Sequence, residues 1–270
     1  MEVLFYVLLF ILGACFGSFL CCQARRLHLK QQKSTSSKKL PSRSVCLHCH
    51  YQLKWYDNIP LLSWLFLRGK CRKCHQKIGL AEFLAELGTA LAFLGIGTTF
   101  NFMSADVLSW TVFLLLLLFV LIIDFLAIYD GLYGELPSKH LAYAIICAAI
   151  ILCLKEYQAL SVSPFTPALI YQPVLSVLLL GGLYLILYKV SKGKWVGDGD
   201  WLLGTAIALA LFDPRLSLIT LFLANFIACL VMAPFVYKKK HARIYFGPFL
   251  VIAFIITIVF SDFFYGIINI

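Results

Sequence analysis

Long apolar runs separated by short polar segments dominate the chain. They predict eight helical spans, at residues 2–22, 80–99, 105–130, 137–155, 170–190, 199–212, 214–236 and 245–268. A helix needs about 20 apolar residues to cross a bilayer core about 30 Å thick, and the sixth run is the shortest of the eight. Helices are expected because backbone amides in hydrocarbon must be satisfied within their own segment. We therefore predict an all-α polytopic membrane protein with about eight transmembrane helices.

The amino-acid composition supports a membrane environment. The chain has 270 residues, of which 61% are hydrophobic and 13% charged. A soluble domain carries about 45–50% apolar and about 25% charged residues. The first run lacks the basic start and the small-residue cleavage site of a signal peptide, so we expect residues 2–22 to be retained as a span. The lipid bilayer is thus a predicted partner.

The net charge of +10 would suggest nucleic-acid binding if the basic residues formed one exposed surface. With the eight predicted spans, however, all Lys and Arg except Lys155 and Arg215 fall on one side of the membrane. Such an excess marks the cytoplasmic side. This predicts a plasma-membrane protein with residues 23–79 in the cytoplasm and both termini outside. Anionic lipid headgroups account for the basic residues, so we expect no nucleic-acid partner.

The polar segment at 23–79 divides the chain into three predicted parts. Residues 1–22 form the first transmembrane helix, residues 23–79 a cytoplasmic cysteine-rich loop, and residues 80–270 a membrane-embedded domain. The loop is long enough for a small folded unit but not for a large hydrophobic core. Within it, the Ser- and Lys-rich stretch at 31–45 is typical of a solvated connector.

Four cysteines in this loop form two C-x-x-C pairs separated by 21 residues: Cys46, Cys49, Cys71 and Cys74. Two such pairs can complete the tetrahedral thiolate site of a structural zinc ion, and the usual separation is about 15–20 residues. A metal ion would fold a loop that is too small to fold alone, and a reducing cytoplasm disfavours disulfides. Unrelated free thiols or a redox pair are the alternative. Three adjacent histidines are alternative ligands: His48, His50 and His75.

Ionisable residues at membrane depth are energetically costly, so they indicate function. Four aspartates lie at the ends of predicted spans: Asp124, Asp130, Asp198 and Asp200. The end of the third span and the start of the sixth meet at one membrane face, where two carboxyl groups can share a proton. Gly197 and Gly199 lack a Cβ, so their loop can approach a bound peptide closely. The simpler interpretations are a cap for a helix that begins at Trp201 and an ordinary turn at Asp130-Gly131.

Further motifs extend over much of the chain. They are Gly17-Ser18-Phe19-Leu20 with Arg25-Arg26-Leu27, the run WYDNIPLLSW at 55–64, Glu86 after the loop, Asp130 seven residues before Pro137, Gly197-Asp198-Gly199-Asp200, and Phe246-Gly247-Pro248-Phe249. Together they resemble the type IV prepilin peptidase (leader peptidase) family of membrane G-x-G-D aspartic proteases. Cys21 stands where that family usually has asparagine, and Ser138 stands where it usually has Asp or Asn.

The resemblance implies a membrane aspartic endopeptidase whose catalytic pair is Asp130 and Asp200. It implies cleavage of the short basic leader of prepilin or pseudopilin precursors at the cytoplasmic face. In many members it also implies methylation of the new N-terminus with S-adenosylmethionine. Because the leader is basic, we predict that it docks on acidic side chains, with four candidates: Asp57, Glu82, Glu86 and Glu135.

Other functions are compatible with parts of the pattern. An ion- or proton-coupled transporter would also carry acidic residues within the membrane, but the chain shows no inverted repeat and a transporter does not require a zinc loop. A non-catalytic assembly factor with a degenerate protease scaffold would be favoured if either aspartate were missing. A presenilin-like or preflagellin-type G-x-G-D protease shares the aspartates but lacks the WYDNIP loop with its cysteines.

Overall fold

The computed structural model describes residues 2–32, 45–46, 48–101, 106–162, 166–193, 196–238 and 245–268. Most of the connector predicted at 31–45 lies outside these residues. The described part of the chain contains eleven α-helices: α1 (Glu2–Gln32), α2 (Leu62–Phe66), α3 (Leu80–Thr98), α4 (Val107–Tyr133), α5 (Ser138–Val162), α6 (Ala168–Val177), α7 (Leu183–Ser191), α8 (Asp200–Leu211), α9 (Pro214–Lys238), α10 (Gly247–Val259) and α11 (Ser261–Ile268). All eight predicted spans are helical, which confirms the all-α class.

Six helices or helix pairs among the described residues are long and apolar enough to cross a bilayer: α1, α3, α4, α5, the α6–α7 pair and α9. A π-helical turn at Leu178–Gly182 joins α6 to α7. Helices α10 and α11 would form a seventh span, although they are bent by 75°. Helix α8 has 12 residues and is therefore only about 18 Å long, too short to span alone. The chain is a multi-pass membrane protein, and its described residues contain six or seven candidate spans and one short apolar helix.

The first of two compact units comprises Met1–Gly97. Glycines let α1 and α3 cross closely, because a Cβ on Gly17 would lie 2.7 Å from the Ala85 carbonyl oxygen, and one on Gly13 would lie 2.7 Å from the Thr89 carbonyl oxygen. With 31 residues, α1 is about 46 Å long and exceeds the bilayer core. Its polar last turns therefore extend beyond the apolar span, toward the cysteine-rich loop that follows.

The second compact unit comprises Thr98–Ile270 and has α8 at its centre. This helix packs against α5, α6, the π-helical turn, α9 and α10, and most of its side chains are buried. Protein surrounds it on most sides, so a helix too short to span is tolerated at membrane depth. Gly181 and Gly204 permit the close approach: a Cβ on Gly181 would collide with Thr205, and one on Gly204 would lie 3.3 Å from the Tyr184 ring. The burial fixes the start of α8, where Asp200 lies.

Candidate active site and metal centre

Asp130 lies in the last turn of α4 and is only 6% exposed. The helix ends there because Gly134 adopts a left-handed conformation with φ of 70°, and its N–H donates a 2.7 Å hydrogen bond to the Asp130 carbonyl oxygen. Glycine is favoured at such a helix end because it has no Cβ. A Cβ on Gly134 would also lie 2.5 Å from the Tyr245 ring. The chain therefore turns sharply just after the predicted catalytic residue.

The Asp130 carboxyl group is held by the first residue of α10. Gly247 N–H donates a 2.9 Å hydrogen bond to Asp130 Oδ2. A helix N-terminus favours a negative group because its amide N–H bonds and its dipole point toward it. A Cβ on Gly247 would lie 2.9 Å from the same oxygen, so a larger residue would push the carboxyl group aside. This gives the Phe246–Phe249 motif a physical role that the sequence alone did not reveal.

Asp200 is the first residue of α8 and is 6% exposed, whereas Asp198 two residues earlier is exposed. The Gly197 N–H donates a 2.8 Å hydrogen bond to Asp200 Oδ2. Gly199 occupies the cap position, and no side chain caps the helix. A Cβ on Gly199 would lie 2.5 Å from Leu136 Cβ. The glycine therefore allows the loop to lie against the segment that follows α4.

The structure brings Asp130 and Asp200 near each other, although they lie on different helices. Asp130 is close enough to Asp200 for the two carboxyl groups to interact electrostatically. In each group Oδ2 accepts a hydrogen bond from a glycine amide. Within the described residues, neither Oδ1 is hydrogen-bonded. Two buried acids, each fixed through one oxygen, leave their second oxygens available for a shared water or substrate.

Sequence reasoning missed Tyr184, which is 2% exposed and lies near Asp200. Its hydroxyl oxygen accepts a 3.2 Å hydrogen bond from Asn225 Nδ2. Its ring packs 5.2 Å from that of Phe246, next to Gly247, and its hydroxyl lies within electrostatic range of Asp200. The sequence signal for this contact was the presence of Tyr184 and Asn225 as polar residues within the apolar runs at 170–190 and 214–236. Asp124 is also buried, less than two helical turns before Asp130.

The four loop cysteines form one cluster whose sulfur atoms all lie within 4.8 Å of one another. The Cys46–Cys74 and Cys49–Cys71 sulfur pairs are each 3.9 Å apart. A tetrahedral zinc site with bonds of about 2.3 Å places its sulfurs about 3.8 Å apart, whereas a disulfide requires about 2.05 Å. Among the described residues, no histidine belongs to the cluster. The donor set and spacing therefore fit a thiolate-bound metal ion.

Both C-x-x-C pairs have the same backbone construction. His50 N–H donates to the Cys46 carbonyl, and His75 N–H donates to the Cys71 carbonyl, each at 3.0 Å. Both histidines have positive φ angles, 54° and 55°, a conformation uncommon outside glycine. Each histidine therefore closes its turn through its backbone, while the cysteine side chains converge.

The cysteines have opposing tendencies to ionise. A backbone hydrogen bond from Cys49 lowers the pKa of Cys46 to about 6. A backbone hydrogen bond from Gln76 lowers the pKa of Cys74, but burial and the other three thiols outweigh it and raise this pKa to about 12. One thiolate forms readily while further negative charge beside it is disfavoured. A divalent cation would remove that conflict by stabilising the thiolates together.

Three of the four acids predicted to receive the leader already have partners in this chain. Asp57 Oδ1 accepts a 2.8 Å hydrogen bond from Arg72 Nε. Glu86 Oε2 accepts a 2.7 Å bond from the Leu61 N–H. Glu82 Oε1 accepts a hydrogen bond from Arg25 Nη2, which makes the two residues an ion pair. The Asp57 contact lies within the loop, the Glu82 contact joins α3 to α1, and the Glu86 contact joins α3 to the loop. Docking of the leader on these acids stays a prediction. Glu135 alone among the four is exposed.

The chain is similar to several known proteins. Residues 11–100 match the family model of the bacterial peptidase A24 N-terminal domain. A prepilin leader peptidase/N-methyltransferase of Myxococcus xanthus is 43% identical over 39% of this chain and 31% of that protein. One of Vibrio cholerae is 38% identical over 46% and 50%, and one of Aeromonas hydrophila 25% identical over 96% and 92%. The chain thus spans about a third of the Myxococcus xanthus relative and half of the Vibrio cholerae relative. No solved structure matches.

Proposed function

We propose that this chain, which is similar to prepilin leader peptidases, is a membrane aspartic endopeptidase of that family. Its substrates are prepilin or pseudopilin precursors, and it removes their short basic leader. The observation that carries the proposal is the pair of buried aspartates, Asp130 and Asp200, each fixed by a glycine amide and close enough to interact. Gly197 and Gly199 form the active-site loop beside them.

Two carboxyl groups in one desolvated site cannot both ionise easily, so one keeps a proton. The ionised group accepts a proton from a water molecule, which attacks the scissile carbonyl carbon. The protonated group donates its proton to the carbonyl oxygen. When the resulting tetrahedral species collapses, the peptide C–N bond breaks and the carboxyl group that took the water proton donates it to the departing nitrogen. One hydroxyl of the tetrahedral species returns its proton to the other aspartate, which leaves a carboxylic acid and an amine. Gly247 and Gly197 keep both carboxyl groups oriented throughout this sequence.

The charge pattern gives the protein its proposed orientation. Residues 23–79 face the cytoplasm, because basic residues are retained on the cytoplasmic side. Both termini face the opposite side of the plasma membrane when α8 and the α10–α11 pair each count as one crossing. Cleavage then takes place at the cytoplasmic face. Asp130 lies there in the last turn of α4, and Asp200 is the first residue of α8. Glu135 lies two residues after the end of α4 at Tyr133. Among the four acids predicted to receive a basic leader, it is the exposed one.

The cysteine cluster holds a structural zinc ion through Cys46, Cys49, Cys71 and Cys74. When bound, zinc supplies cross-linking of the two C-x-x-C pairs rather than hydrolytic chemistry, because four thiolates leave no open coordination position. The names of the relatives also include an N-methyltransferase. We extend the proposal to methylation of the newly exposed N-terminal amine, with S-adenosylmethionine as the methyl donor.

Co-expression with a candidate prepilin tests the proposed activity. The mass of the mature protein's N-terminal peptide reports cleavage as loss of the leader, and it reports methylation as a further gain of one methyl group. We expect both changes with the wild-type chain and neither without it. An intact leader on every candidate precursor, beside correctly inserted enzyme, would reject the proposal. The same preparation can be assayed for ion flux, which the transport alternative requires and which the names of the relatives do not support.

Gly247→Ala is expected to lower the cleavage rate about 10²-fold, because misplacement of a catalytic group by about 1 Å costs that much. The added Cβ would lie 2.9 Å from Asp130 Oδ2 and 3.3 Å from Asp130 Cβ. Steady-state cleavage of a prepilin by purified protein measures the effect. Gly131→Ala is the matched control, since its Cβ would meet only Pro248, at an ordinary 3.5 Å. Equal rates for the two variants would show that the Gly247 contact does not position Asp130.

A further inference from the structure

The short helix α2 exposes three large apolar side chains on one face. Leu62, Leu65 and Phe66 have the spacing i, i+3, i+4, which places them on the same side of a helix. All three are more than half exposed, and Phe66 is 81% exposed. Single apolar residues on a surface are ordinary, but a continuous apolar face marks a surface that contacts lipid or another protein. The remaining α2 residues, Ser63 and Trp64, are less exposed and form its inner side.

Two contacts fix α2 beside the first turns of α3. The Trp64 ring packs 4.7 Å from the Phe83 ring. The N–H of Leu61, directly before α2, donates a 2.7 Å hydrogen bond to Glu86 Oε2. All of these residues belong to the compact unit Met1–Gly97. The position of α2 along α3 is therefore defined within one unit.

The length of α3 sets the depth of α2 in the bilayer. Helix α3 has 19 residues and is about 28 Å long, close to the thickness of about 30 Å of a bilayer core. To cross the core it must use its whole length, so Leu80 lies near the edge of the core. Phe83 and Glu86 are about 4.5 and 9 Å further along the helix axis. The segment that contacts them therefore lies at the boundary between lipid headgroups and acyl chains.

The lipid-facing side of α3 adjoins the same region. Leu80, Leu84 and Leu91 are each more than half exposed, and their spacings of four and seven residues place them on one face of α3. Phe83 lies three residues after Leu80 and one before Leu84, at the edge of this face. Because Trp64 packs on Phe83, α2 lies next to a surface that the bilayer already covers.

Basic side chains follow the apolar face of α2. Arg68 and Lys70 come within four residues of its end, and both are exposed. Neither forms an ion pair with another described residue. An apolar face of Leu and Phe with Lys and Arg at its border is typical of segments that lie in a membrane interface, and basic residues there attract anionic headgroups. A basic prepilin leader would be repelled by the same side chains, so charge favours lipid over the proposed substrate.

We infer that α2 is an interfacial membrane anchor of the cysteine-rich loop. Leu62, Leu65 and Phe66 lie among the upper acyl chains of the leaflet on the loop's side of the membrane. Arg68 and Lys70 contact anionic phospholipid headgroups beside them. In the proposed orientation this is the cytoplasmic leaflet. The loop is thus attached to the membrane at a third point, besides α1 and α3, and this attachment does not depend on the peptidase activity.

Photo-crosslinking of the purified, zinc-loaded full chain in vesicles of phosphatidylglycerol and phosphatidylcholine tests the inference. The photoreactive residue p-benzoyl-phenylalanine is incorporated at position 66, where the exposed side chain tolerates it. We expect the peptide that carries position 66 to gain the mass of one phospholipid. The yield should fall by about fivefold or more in Arg68→Gln/Lys70→Gln, the effect of losing at least one basic side chain at an anionic surface. The same loss is expected in vesicles of phosphatidylcholine alone.

Position 52 gives the matched control, because Gln52 is exposed in the same loop but lies outside the α2 face. Equal lipid yields at positions 52 and 66 would overturn the inference. An adduct with a co-reconstituted prepilin, or with a second copy of the chain, in place of lipid would also overturn it. A lipid yield that does not change without Arg68, Lys70 and phosphatidylglycerol would reject the headgroup contact.

Zinc content and prepilin cleavage of the labelled chains separate this inference from the proposed function. A chain that forms the lipid adduct but cleaves no precursor supports the anchor and rejects the peptidase. A chain that cleaves prepilin without any lipid adduct at position 66 rejects the anchor alone. If the label at position 66 lowers the zinc content, the same label at position 65, on the same face, decides the outcome.

Discussion

Replacement of either Asp130 or Asp200 by asparagine is expected to reduce prepilin cleavage by about 10⁴–10⁶-fold, the range for removal of one side chain from a catalytic group that acts as a unit. An amide has nearly the size of a carboxyl group but can neither accept a proton from water nor donate one to the scissile carbonyl oxygen. Both residues are buried and each accepts one glycine N–H bond. Asparagine can keep that bond through its carbonyl oxygen, so the fold should survive. Loss of leader removal, followed by mass spectrometry, measures the effect.

The chain contains a matched control for each substitution. Asp124 is buried on the same helix as Asp130, and Asp198 lies two residues before Asp200 but is exposed. Asp124→Asn and Asp198→Asn should cleave at close to the wild-type rate. If Asp198→Asn is as inactive as Asp200→Asn, the burial of Asp200 does not distinguish the catalytic acid of the G-x-G-D loop. Expression and thermal unfolding of all four variants should be compared with the wild type to exclude misfolding.

Replacement of Cys46 or Cys71 by serine is expected to abolish zinc binding and unfold the loop. Binding free energies of structural zinc sites are about 10–16 kcal/mol near neutral pH, far more than a loop of this size gains from its own packing. Elemental analysis of the purified chain should show one zinc per wild-type molecule and almost none in either variant. Limited proteolysis should then cut the variants within residues 46–79. Prepilin cleavage should fall only as far as the protein loses its fold.

A cysteine outside the cluster gives the control for this experiment. Cys153 is exposed on α5, and Cys153→Ser should retain zinc and resist proteolysis like the wild type. If the reduced wild-type protein contains no zinc, the four-cysteine cluster is not a zinc site. Immediate inhibition by a chelator, before any loss of loop structure, would contradict a purely structural role for the ion.

Hydropathy predicted where the helices lie but not where they are bent or locally irregular. All eight apolar runs are helical, because the bilayer imposes one solution on the backbone. A window average has no information on local geometry. The 75° bend between α10 and α11 and the π-helical turn at Leu178–Gly182 were therefore not predicted. The run at 199–212 was already the shortest in the sequence and forms a 12-residue helix, but the neighbouring helices that surround it are a tertiary feature that hydropathy does not give.

The functional residues show a similar division. Spacing predicted the cysteine cluster because the reach of two C-x-x-C pairs is a local property. The contact from Gly247 to Asp130 joins residues 117 positions apart, and no local pattern specifies it. The acidic residues Asp57, Glu82 and Glu86 were expected to meet a substrate because only their charge was visible. Their partners Arg72, Arg25 and Leu61 lie 15, 57 and 25 positions away and became apparent only from the fold.

The residual cleavage rate of the Asp130→Asn/Asp200→Asn double variant tests most directly whether the two acids act as one site. Residues that act as a unit give strongly non-additive losses. We predict that the double variant is no slower than the slower single variant, because the first substitution already disables the shared proton transfer. Losses that multiply in the double variant, or a wild-type rate in either single variant, would show that Asp130 and Asp200 do not act together.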